Sequence, residues 1–115
     1  AYRRALDIFQ KSLAADNPRF GNALTGLGAC YVLSNAGKKA VPLLERALAI
    51  REKDNTAARD VGETRFFLAQ ALWQAGDRPR AVKLAKQAQQ DFAKAGKTAD
   101  TPLTQLDRWV RQRAI

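Results

Sequence analysis

Histidine and methionine are absent from these 115 residues, and cysteine occurs once. Without imidazole the chain has no histidine base and no His-ligated metal, so Ser-His and Cys-His triads and zinc-hydrolase chemistry are excluded within it. The lone Cys30 can build neither a disulfide nor a structural zinc site; set in an apolar helical pattern, it points to a reducing compartment, with the cytoplasm as the expected location. No apolar run reaches the roughly 18 residues a membrane helix needs, and the start of the chain lacks the basic, apolar, small-residue order of a secretory signal. The sequence therefore reads as that of a soluble protein without a membrane role. The missing methionine leads to the expectation of a fragment cut from a longer protein whose upstream part is gone. Gly26-Leu27-Gly28 has no third glycine, no preceding strand and no following Gly-Lys-Ser/Thr, so it is not a nucleotide loop. Asp60 and Glu63 fall one helical turn apart but are flanked by Arg59 and Arg65, and read as acids at the favourable end of a helix dipole. No cofactor, metal or catalytic residue is expected, and the chain is not read as an enzyme.

What is present is helical periodicity from end to end. Ala5, Leu6, Phe9 and Leu13 follow the three-and-four spacing of an amphipathic helix that ends near Asn17-Pro18. Further helices are predicted from about Asn22 to Asn35, from Lys38 to Lys53 with Pro42 near its first turn, and from beyond Thr56 to Ala75. Gly76-Asp77 marks a turn, Pro79 sits just inside the following helix, which runs to about Ala95, and a last helix starts at Thr101-Pro102. No strand-like alternation occurs.

Two stretches repeat. Leu24, Leu27, Gly28, Tyr31, Ala40, Leu44 and Ala47 return as Arg65, Leu68, Ala69, Leu72, Ala81, Ala85 and Ala88, each displaced by 41 positions. One such copy cannot bury its own apolar face, so copies stack into a curved array whose surface suits a protein partner. Leu24-x2-Leu27-Gly28-x2-Tyr31 followed by Ala40-x3-Leu44-x2-Ala47 resembles the tetratricopeptide repeat, with leucine at the tryptophan place; the second copy is looser, with Arg65 at that place. The resemblance implies an all-α, right-handed α-solenoid of antiparallel helix pairs, about 2.5 repeats and a capping helix. Residues 1–17 would be the second helix of a truncated repeat, 21–53 and 57–96 full repeats, and 101–114 the cap. A truncated first repeat would expose an apolar face and favour self-association.

A narrower resemblance covers about half the chain. Pro42 to Glu52, Glu63 to Trp73 and Leu106 to Val110 are similar to the repeat regions attached to bacterial Ser/Thr protein kinases. The Ala-Leu-Ala-Ile-Arg-Glu string is also similar to kinesin-light-chain repeats. Neither likeness reaches catalytic residues; what they imply is a scaffold at the C-terminal end of a larger signalling protein. In such repeats the first helix of each pair lines a partner groove. Here that stripe is Thr25, Ala29 and Val32, then Phe66, Gln70 and Trp73. It lacks the lysine, arginine and asparagine side chains with which family members grip a peptide carboxylate, so an apolar or mixed peptide is expected, and Phe66 and Trp73 are the anchor candidates. The same aromatic residues have a structural use, packing on a neighbouring repeat or under the final helix. Twenty Lys and Arg against eleven Asp and Glu give a charge of +9. A basic surface of Arg78, Arg80, Lys83, Lys86, Arg108 and Arg111 makes nucleic acid or another polyanion the alternative partner.

Overall fold

The computed structural model describes residues 18–54 and 56–115; the amphipathic segment around Ala5 to Leu13, and the self-association assigned to it, lie outside them. Five α-helices follow one another: α1 (Pro18–Leu33), α2 (Gly37–Lys53), α3 (Ala58–Ala75), α4 (Arg78–Ala95) and α5 (Asp100–Gln112), the last entered through a 3-10 turn at Gly96–Ala99. There is no strand among the described residues. The fold is an all-α helical-repeat solenoid in which α1 pairs with α2, α3 with α4, and α5 closes the stack. The principal extents are 42 × 29 × 21 Å.

Local chemistry sets the breaks. Helix α1 begins at Pro18, upstream of the predicted Asn22, because a proline at the first helical position forgoes only an amide that has no intrahelical partner. It stops where Asn35 takes a left-handed φ of 57°, and the Ala36 amide turns back to the Tyr31 carbonyl at 2.7 Å. Gly76 ends α3 with φ of 93°, a conformation costly for any residue bearing a Cβ. The Asp77 carboxylate then accepts from the Arg80 amide at 3.4 Å, and Pro79 occupies the first turn of α4. Pro42 lies within α2 beyond its first turn, on an exposed face, where the missing amide removes one hydrogen bond of the helix without opening the core.

The two halves of each pair meet through small residues and large aliphatics. A Cβ built on Gly28 would stand 2.5 Å from the Leu44 side chain, so glycine sets how closely α1 approaches α2. Leu44, Leu68, Leu72, Ala81, Ala85 and Phe92 belong to one buried cluster that continues to Leu106 and Trp109; Phe20, Leu24, Leu27, Ala47 and Ile50 form a second, smaller one.

A polar seam crosses this apolar interior. Arg51, in the Ala-Leu-Ala-Ile-Arg-Glu string of α2, is buried. It donates to the Asp60 carbonyl and the Thr64 hydroxyl at 2.8 Å each, and to Asn22 Oδ1 at 2.6 Å. Thr64 is bonded in turn to Thr25 at 3.1 Å. A buried guanidinium must have its donors engaged, and this one joins α1, α2 and α3. Arg65, at the tryptophan place of the second repeat, is tied to both oxygens of Asp91 on α4 at 2.9 and 2.7 Å, and to Glu52 on α2 at 3.3 Å. An ion-pair bridge thus stands in the second repeat where the first repeat buries Leu24.

Candidate partner-binding cleft

Helices α3 and α5 run side by side in the same direction. The start of α3 is fastened to the turn before α5 by Arg59 Nε donating to the Thr98 carbonyl at 2.9 Å. Just beyond the end of α5, the Arg113 side chain lies 5.8 Å from the Trp73 ring centroid. Between these points the helices are held by edge-on aromatic pairs, Phe66 with Trp109 at 6.0 Å and Trp73 with Trp109 at 5.8 Å. Guanidinium groups extend the stack: Arg78 lies 4.7 Å over Trp73, and Arg113 lies 4.4 Å over Trp109. Burial pulls the Arg113 guanidinium below its ordinary pKa range.

Aromatic rings are wider than the Thr25–Thr64 contact on the other flank of α3, and beside them an open cleft of about 340 Å³ runs along α3 and α5. Glu63, Phe66, Phe67 and Gln70 form its α3 wall, Pro102, Gln105, Arg108, Trp109 and Gln112 its α5 wall, and Phe92 of α4 underlies it. The spacings on both helices are those of a single helical face. The cleft therefore opens on the side of the first helices, away from α4.

The residues singled out in the sequence separate into distinct surroundings. Phe66 and Gln70 line the cleft, with Phe66 buried against Trp109 and Gln70 donating to the Phe66 carbonyl at 3.4 Å. Trp73 is half-buried in the aromatic stack, one turn beyond the cleft. Thr25 and Val32 are buried, Thr25 in the polar seam, and Ala29 is half-buried on α1, so these three lie outside the cleft. The basic residues are dispersed. Arg108 lines the cleft and Arg111 is exposed on the same helix. Lys86 borders a small recess with Val110 and Ile115, while Arg78 covers Trp73. Arg80 and Lys83 border a groove of about 500 Å³ between α2 and α4, where Arg80 is already paired with Glu45 at 3.0 Å. That groove is the larger but contains no aromatic side chain, and Arg80 and Glu45 on its two walls pair with each other. Glu63, Phe67, Phe92, Pro102, Gln105, Trp109 and Gln112 also line the cleft and were not predicted from the sequence as partner-binding residues. The α3 members could have been found from the Glu63, Phe66, Phe67, Gln70 stripe, whereas nothing local pairs that stripe with α5.

Among the described residues no cluster of acidic, cysteine or histidine side chains could hold a metal, and no helix is long and apolar enough to cross a membrane. Fold and cleft together define a helical-repeat protein with a groove on its first-helix side. Residues 1–53 match the family model of the tetratricopeptide repeat. No curated protein and no solved structure matches the chain.

Proposed function

We propose that this chain is a non-enzymatic protein-interaction module that receives a short peptide segment of its partner in the cleft between α3 and α5. The observation that carries this reading is the cleft itself: an aromatic floor of Phe66, Phe67, Phe92 and Trp109, rimmed by Gln70, Gln105, Arg108 and Gln112. Apolar floors with a few convergent polar groups are what peptide and small-ligand sites share. The scaffold around it is preformed, because the seam at Arg51 and the aromatic stack at Trp109 fix both neighbours of α3, so little ordering accompanies binding. The match of residues 1–53 to the tetratricopeptide repeat supports a partner-binding role, since stacked helical repeats present extended binding surfaces. We further propose that the module is part of a larger cytoplasmic signalling protein, the setting implied by the resemblance drawn from the sequence for Pro42 to Glu52 and Glu63 to Trp73.

Selection from a random peptide-display library tests the reading. Sequences enriched on the intact chain are expected to lose binding to a folded Phe67→Ala/Gln105→Ala variant. Enrichment that survives this variant, or none at all, overturns it. Capture of nucleic acid that disappears at moderate salt would instead favour the polyanion alternative.

A further inference from the structure

We infer that the cleft is selective for an extended segment carrying one cationic and one anionic side chain about three residues apart, with apolar residues between them. This rests on the reading of the cleft as a peptide site. Its walls are polarised. Glu63 lies at the end nearest the start of α3, half exposed, with one oxygen 3.8 Å from Arg51. Arg108 lies toward the other end, beside Trp109, exposed and without an ion-pair or hydrogen-bond partner among the described residues. Because α3 and α5 are parallel and Trp109 contacts both Phe66 and Trp73, Arg108 stands level with the α3 residues near Gln70. At 1.5 Å of rise per residue, the acidic and basic ends are about 10 Å apart along the helices. An extended chain covers about 10 Å in three residues. A helical segment would need about seven residues to cover the same distance. Extended chain is thus the form in which a short segment reaches both ends. Between the charged ends, the ligand faces Phe66, Phe67 and Trp109, which favour Leu-like or aromatic side chains.

The net charge of +9 makes the opposite demand, since by itself it attracts whichever peptide is most acidic. The two effects are separable. Four end-blocked fluorescent peptides, Gly-Ser-Lys-Leu-Leu-Glu-Ser-Gly and its Glu-Leu-Leu-Glu, Lys-Leu-Leu-Lys and Gln-Leu-Leu-Gln counterparts, would be titrated by anisotropy at 0.15 M salt. The Lys-Leu-Leu-Glu peptide is expected to bind about three- to tenfold more tightly than either like-charged peptide, the range set by one attraction exchanged for one repulsion at an exposed site. Arg108→Glu, a change at an exposed position, should make Lys-Leu-Leu-Lys the tightest. If Glu-Leu-Leu-Glu binds best to the intact chain, overall charge governs and the inference fails. Equal affinities for all four, lost with Phe67→Ala/Gln105→Ala, overturn the charge selectivity but leave the cleft as an apolar peptide site. Binding by none of the four also overturns the inference; the library selection then decides the broader reading independently.

Discussion

Helix α3 has a first-helix neighbour on each flank, and the two contacts are built from opposite materials. Against α1 it presents Thr64 and Gln74, which meet Thr25 at 3.1 Å and the Val32 carbonyl at 3.0 Å, with Arg51 entering from α2 to complete the seam. Against α5 it presents Phe66 and Trp73, which meet a single ring, Trp109, at about 6 Å between centroids. Short side chains with hydrogen-bond partners draw the backbones together and close the surface. Edge-on rings hold the helices apart, and the space beside them is the cleft. One helix thus supplies a sealed joint and an open site, and the difference lies in side-chain size and hydrogen-bonding capacity.

The comparison can be broken most severely at its two ends. Arg51→Ala takes the charged donor from the buried Asp60 carbonyl and Thr64 hydroxyl and leaves a cavity between three helices; it is expected to cost about 3–5 kcal/mol in chemical denaturation. Peptide binding, measured on the fraction still folded, should survive it. Trp109→Ala is expected to cost a similar 3–5 kcal/mol through the cavity left in the core and, unlike Arg51→Ala, to abolish peptide binding; retention of binding would show that the α5 wall is not needed. Gly28→Ala sharpens the comparison within the first pair, since its methyl group must displace Leu44; a loss of about 1–3 kcal/mol is expected, with no change at the cleft. Gly76→Ala, at a left-handed position with open space around it, should cost about 1 kcal/mol through the backbone strain of an alanine held at positive φ. Arg108→Glu should leave the melting temperature unchanged while altering peptide preference. A large stability loss there would assign Arg108 to the fold instead of the site.

Much of this architecture was legible beforehand, and the failures are informative. The helix breaks at Gly76-Asp77 and before Pro79 were readable because left-handed backbone and the lack of an amide are properties of single residues. The 41-residue displacement of Leu24 to Ala47 onto Arg65 to Ala88 was readable because stacked repeats reuse one pattern of burial. The groove was less so. Thr25 and Phe66 occupy equivalent places in the two copies by displacement, yet Thr25 is consumed by Thr64 while Phe66 borders a cleft. The looser second copy also concealed Arg65, whose position reads as a lost core residue until Asp91 and Glu52 are seen around it.

By itself, then, the sequence determined where the helices break, though not that α1 starts as early as Pro18, which stripe of each is apolar, and that the helices stack as a repeat, because these depend on 3.6-residue periodicity and on the backbone preferences of glycine, proline and asparagine. Which polar residues are buried and which remain for a partner was decided only by tertiary structure. Arg51 is enclosed because Asn22, Asp60 and Thr64 converge on it from two other helices. Arg108 stays open on the α5 wall of the cleft, exposed and held by no ion pair among the described residues. Burial is a property of what surrounds a side chain, and those surroundings come from parts of the chain that no local pattern connects.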